Sequence, residues 1–147
     1  MKTAKAGQTT SRAAKADPVA NRLALVAFLT DDYDRAIAWF CDVLRFELLE
    51  DTDMGGGKRW VRMAPTPDAD TAFLIAKATG AQAETIGKQA GGRVGHFLFT
   101  DDFDAMAAHM KAQGVTFREA PRDEPYGKVV VFEDLHGNPW DLMQPKP

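Results

Sequence analysis

The sequence predicts an α+β protein built from two tandem βαβββ modules, and three observations carry the prediction. The stretch "FLTDDYDRAIAWF" at 28–40 returns as "FLFTDDFDAMAAHM" at 97–110, with Thr30-Asp31-Asp32-Tyr33-Asp34 rewritten as Thr100-Asp101-Asp102-Phe103-Asp104, an offset of 70 residues. Each copy is preceded by one apolar run and followed by three shorter ones in the same order. A chain of 147 residues, 45% of them hydrophobic, suits one compact unit or two small fused modules. At this size about two-thirds of the unfolded surface is buried on folding, so no staples are needed.

Each element follows from its own pattern. The opening strands are "LALVAFLT" (23–30) and "VGHFLFT" (94–100). Tyr33, Ala36, Ile37 and Phe40 recur at helical spacing, as do Phe103, Met106, Ala107 and Met110. Asp32 and Asp102 are natural N-caps, and Asp34 and Asp104 suit the positive end of each helix dipole. Gly114 is placed to end the second helix in the left-handed region. The first helix has only Leu44-Arg45 at that point, so a costlier turn is expected there. Short strands follow at "FELLED" (46–51) and "VTFREA" (115–120), then "KRWVRMA" (58–64) and "KVVVFED" (128–134), entered through "MGGG" and "PYG" turns. "TAFLIAK" (71–77) and "WDLMQ" (140–144) close the copies. The turn before the former is the longer one, which makes Leu74 rather than Thr71 the counterpart of Asp141. One domain is thus expected at 19–145: module one at 19–77, a Gly- and Ala-rich linker at 78–93 and module two at 94–145.

The rest of the chain limits the functional classes. Residues 1–18 set four basic side chains against one acid, contain no aromatic residue and no Ile, Leu or Val, and read as a flexible basic tail. That tail lacks the apolar centre of a secretory signal. The net charge of −3 gives no reason to expect nucleic acid, and no apolar run approaches the roughly 20 residues of a membrane span. Cys41 is the single cysteine and reads as a structural thiol on a helix, in keeping with a cytoplasmic protein. "MGGGK" at 54–58 lacks P-loop spacing and reads as a hairpin.

Two such modules carrying "DDYDRAIAWF", "KRWVRMA" and "EPYGKVVVFEDLHGNPWDLMQ" in this order resemble the vicinal oxygen chelate superfamily over residues 20–145. That superfamily includes glyoxalase I, bleomycin-resistance proteins, fosfomycin-resistance proteins and extradiol dioxygenases. The resemblance implies eight strands curling into a U-shaped cleft with helices outside. It also implies a homodimer in which modules of neighbouring chains meet edge to edge. Metal-using members place His on the first strand of each module and Glu on the last. The matching positions here are Leu25, Gly95, Leu74 and Asp141, of which only Asp141 can ligate. No cofactor is therefore expected. His96 stands one residue from a ligand position, and one residue reverses the face of a strand, so it is expected to point at the helix layer. His109 reads as a helix-surface residue and His136 as a turn residue.

Hydrocarbon in place of ligands implies an apolar cleft for a small molecule. Its expected lining is Leu25, Leu74, Phe97 and Phe99, with Trp60 or Trp140 as aromatic wall. Arg62, Asp141 and Tyr126 are its polar candidates, Asp141 as the candidate base or as a salt-bridge partner of Arg62 or Arg59. The reading this favours is a protein that binds an apolar or aromatic compound. The alternative is an enzyme. One form is a metal-dependent glyoxalase-like lyase or dioxygenase using Asp141 and a re-registered His96 on Zn, Ni, Fe or Mn. The other is a metal-free lyase or isomerase with Asp141 as base. A module whose cleft is filled by its own side chains is the third possibility.

Overall fold

The structure is a computed structural model that describes residues 18–147. The basic tail expected at 1–18 lies, but for Pro18, outside the described residues. Module one runs β1 (Leu25–Thr30), α1 (Tyr33–Asp42), β2 (Glu47–Gly55), β3 (Lys58–Ala64) and β4 (Ala72–Lys77). Module two runs β5 (His96–Phe99), α2 (Phe103–Ala112), β6 (Arg122–Glu124), β7 (Gly127–Glu133) and β8 (Pro139–Pro145). The two four-stranded sheets have the orders β1-β4-β3-β2 and β5-β8-β7-β6. In each, the first strand pairs parallel with the last and the other pairs are antiparallel.

The repeated phrase builds the same scaffold twice. Asp32 accepts from the Arg35 N–H and Asp102 from the Ala105 N–H, each satisfying a free donor of its helix. The acid of each first turn then binds a cation from the hairpin. Asp34 meets Arg59 and Asp104 meets Lys128, both at 2.9 Å. Each cation also lies over the first aromatic ring of its helix, Arg59 over Tyr33 and Lys128 over Phe103. The helices end differently. Gly114, at φ 83°, lets the Val115 N–H close on the Met110 carbonyl. Module one spends one more residue, closing Phe46 on Phe40, with Arg45 at φ 59°. Arg45 is the one non-glycine residue with positive φ among the described residues, the costlier turn that the missing glycine implies.

One strand differs from expectation. Residues 115–120 form only a bridge, Phe117 to Phe132, and the strand proper is Arg122–Glu124. The ladder falters because the Glu119 carboxylate takes the Val131 N–H at 3.1 Å, where a backbone carbonyl would otherwise accept, and Pro121 brings no N–H of its own.

Alternation along the strands separates an inner face from an outer one. Phe28, Val61, Met63 and Ile75 of module one are fully buried, as are Phe132 and Leu142 of module two. The modules meet through these inner faces: Trp140 lies 5.8 Å from Phe73 and 6.1 Å from Phe40, ring centre to ring centre. Burying one such aromatic contributes about 1.5–3 kcal/mol. His109 Nε2 donates to the Asp42 carbonyl at 2.9 Å, tying the end of α1 to α2. The linker is fastened as well. It carries a short 3-10 helix, Gly80–Thr85, and Gln89, whose amide donates to the Ala27 carbonyl and accepts from the Leu29 N–H along the free edge of β1.

Candidate functional site on the outer faces

Turning the inner faces together leaves two outer faces pointing away from the shared core. On module two, Asp141 sits mid-strand on β8 with Phe97 of β5 and Val131 of β7 as its register partners. Phe97 and Phe99 remain 54% and 62% exposed, large values for rings of this size. Burial, with Glu119 adding and Arg122 opposing, holds the Asp141 carboxyl above the usual carboxylate range. Arg122 contacts Glu119 at 3.0 Å and also pairs with Glu124. Its guanidinium is driven further towards the charged form, first by Glu119 and then by Tyr126. Tyr126, half-exposed at the β6–β7 turn, thus stands beside a charged cluster next to Asp141.

On module one the outer face carries Leu25, Ala27, Trp60, Arg62 and Leu74, with Leu74 in register with both Ala27 and Arg62. Leu74 pairs with Ala27 as Asp141 pairs with Phe97, so the expected equivalence of Leu74 and Asp141 holds. Arg62 binds Glu50 at 2.9 Å and holds that carboxyl below its usual range. Arg59 is engaged by Asp34 and Asp51 on the other side of the sheet. The expected pairing of Asp141 with Arg62 or Arg59 is therefore corrected: both cations are taken within module one.

Strand facing corrects one further expectation, for Trp140, and meets another, for His96. Trp140 adjoins Asp141 in sequence and so points the opposite way; it is 2% exposed, and its indole N–H donates to Asp134 at 2.9 Å. Trp60 is the tryptophan on the outer face. His96 pairs with Trp140 and Phe97 with Asp141 without a bulge, so the His96 ring faces the inner core and the re-registered pair His96–Asp141 does not form.

Three cavities stand out among the described residues. One of about 510 Å³ joins Trp60 and Leu74 to Lys58, Lys77 and Gln82. A second, of about 570 Å³, opens between the modules beside Phe73, His96, Phe97 and Trp140. The third, of about 380 Å³, lies at the glycine hairpin of residues 55–57. None of these three unites Leu25, Arg62, Phe99 and Asp141, which lie on the two outer faces. A metal of the kind the fold's enzymes use does not fit these residues. Among the described residues no three His, Cys, Asp or Glu side chains are placed to hold a cation, and the pair once in question sits on opposite faces.

Sequence reasoning overlooked the latch in "DLHGNPW". Asp134, 6% exposed, accepts from the backbone N–H groups of His136 and Asn138, from the Asn138 amide and from the Trp140 indole. His136 Nε2 reaches the Thr30 hydroxyl at 2.8 Å, so the same loop clasps module one. An Asp two residues before a His-Gly turn is the local signal.

The profile of the Glyoxalase/Bleomycin resistance protein/Dioxygenase superfamily matches residues 22–142. An uncharacterized protein of Shewanella frigidimarina (strain NCIMB 400) is 44% identical over 121 residues, covering 81% of this chain and 90% of that one. Among solved structures, UcmS2 superposes with a TM-score of 0.72 at 27% identity, over 85% of this chain and 98% of its own. TnmS3, an antibiotic binding protein from Streptomyces sp. CB03234, superposes with a TM-score of 0.71 at 27% identity, over 88% and 100%.

Proposed function

The chain belongs to the Glyoxalase/Bleomycin resistance protein/Dioxygenase superfamily, and from that premise we propose that it binds a small apolar or aromatic molecule without a metal ligated by the protein. The single observation that carries this reading is the outer face of module two. There the exposed rings of Phe97 and Phe99 flank a desolvated Asp141, a mostly apolar surface with one oriented polar group. The antibiotic binding named for TnmS3 supports the same class of ligand. Because the outer faces diverge within one chain, the cleft is completed in a homodimer, with Trp60, Arg62 and Leu74 of one copy opposite Phe97, Phe99 and Asp141 of the other. The protein works in the cytoplasm, its ligand a diffusible small molecule. Arg62 and Tyr126 sit at the margins as polar contacts.

A second reading rests on the same Asp141. A carboxyl held above its usual range is a suitable general base for a metal-free lyase or isomerase. The experiment is a thermal-shift screen of aromatic and antibiotic compounds on chelator-treated protein, with turnover then assayed on each binder. Stabilisation by at least one aromatic compound in chelator, lost in Phe99→Ser, is the expected result. Turnover lost in Asp141→Asn with binding intact would establish the second reading. Stoichiometric protein-bound metal required for binding would overturn both.

A further inference from the structure

The cavity of about 570 Å³ between the modules lies on the inner side of the sheets, the side opposite Asp141. Its walls are Met63, Phe73 and Trp140, and Leu23, Val26 and Phe97 stand at its opening, 68%, 37% and 54% exposed. Val26 belongs to the inner face of β1, two residues before the fully buried Phe28, so this inner surface is incompletely filled by the chain's own side chains. Two polar side chains belong to this lining, those of Thr71 and His96, and the Thr71 hydroxyl already donates to the Leu23 carbonyl at 2.6 Å. The His96 ring lies 4.7 Å from the Trp140 ring and 5.1 Å, edge-on, from Phe73. His96 Nδ1 is sealed from solvent and is the one buried side-chain nitrogen or oxygen among the described residues without a partner. With burial keeping the ring neutral, it carries a single N–H. Nδ1 is unpaired in either tautomer; the one with its proton on Nε2, the nitrogen not sealed off, leaves Nδ1 a bare acceptor and presents a donor.

We propose that this inter-module cavity is a second binding site, for a small flat aromatic molecule bearing an acceptor oxygen such as an aryl ketone, its body between Phe73, Met63 and Trp140 and its oxygen on His96 Nε2. The walls of this site come from the sides of the strands opposite the Asp141 face, Phe97 at the opening is shared by the two, and the site needs no second copy of the chain. The aromatic walls supply affinity, and the His96 donor selects the oxygen. A ligand here would also bridge β4 and β8, and so tighten the packing of the two modules.

The test uses the full chain and a matched pair of probes, 2-acetylnaphthalene and 2-ethylnaphthalene, which share shape and differ in the carbonyl. Binding is read by the imidazole nitrogen signals of His96 in ¹H–¹⁵N spectra and by fluorescence titration. The expected result is a shift of the His96 Nε2 signal with the ketone, and about tenfold tighter binding of the ketone than of the hydrocarbon. His96→Phe removes that preference. Val26→Trp, which plugs the exposed mouth, weakens both probes, and Phe99→Ser leaves both unchanged. Equal affinity of the two probes would overturn the proposal. So would loss of binding in Phe99→Ser, which returns the probe to the Asp141 face. A Val26→Trp chain that turns monomeric while still binding the ketone would assign the mouth to a second copy and likewise overturn it.

Discussion

Module one and module two share their scaffold and differ on their outer faces. Cap, first-turn acid, hairpin cation and ring recur as Asp32, Asp34, Arg59 and Tyr33 against Asp102, Asp104, Lys128 and Phe103. At the centre of the outer face the two part company. Arg62 beside Leu74 in one becomes Val131 beside Asp141 in the other. The repeated residues hold helices on sheets, and the unrepeated ones make two unlike outer faces. In the proposed homodimer, pairing a cationic, apolar half with an acidic, aromatic half would give two equivalent clefts, each of them asymmetric.

Breaking the latch should produce the largest difference between the modules. Asp134 has its offset counterpart near Pro65, so module one has no equivalent buried acceptor. Asp134→Ala strands the Asn138 amide and the Trp140 indole and should cost about 3 kcal/mol in urea unfolding. Converting Asp141 to the residue of its counterpart, Asp141→Leu, should do the reverse to stability. It removes a desolvated carboxylate and should stabilise by about 1 kcal/mol while lowering affinity for the aromatic ligand. Because the Asp141 carboxyl is raised, the folding penalty it carries is complete above its folded value and vanishes in acid. The stabilising effect of Asp141→Leu should therefore shrink as the pH falls.

The helix ends offer a smaller contrast. Arg45→Gly should gain about 1 kcal/mol by relieving a left-handed arginine, and Gly114→Ala should lose about as much. Melting temperatures of the two variants should move in opposite directions. The smallest effect belongs to the histidines of the shared core. Burial holds His96 and His136 below the ordinary value, although Asp134 pulls both upward. The stability this neutrality confers is whole above about pH 6.5 and is lost as the pH falls towards the folded values, since the unfolded chain takes up protons first. His136→Asn should flatten part of that acid slope.

The scaffold was legible because its signals are local: helical spacing, an aspartate cap and a glycine stop each act within a few residues. Face assignment was legible where alternation is strict, which is why His96 was placed inward. Trp140 was misassigned because a tryptophan reads as a pocket wall whenever its face is unknown, although its neighbour Asp141 had already fixed the face. The β6 shift was hidden because a side-chain carboxylate, Glu119, replaces a backbone acceptor on β7, twelve residues away. Gln89 holding β1 spans sixty residues, and no periodicity encodes that distance.

Subunit mixing tests the central claim most directly. Phe99→Ser and Trp60→Ser chains are each expected to lose the aromatic ligand found in the screen. Unfolded and refolded together, they should regain about half the wild-type capacity in the mixed pairs, because one cleft of each such pair receives both intact half-sites. No recovery from mixed pairs shown to have formed would place the whole site within one chain and contradict the account.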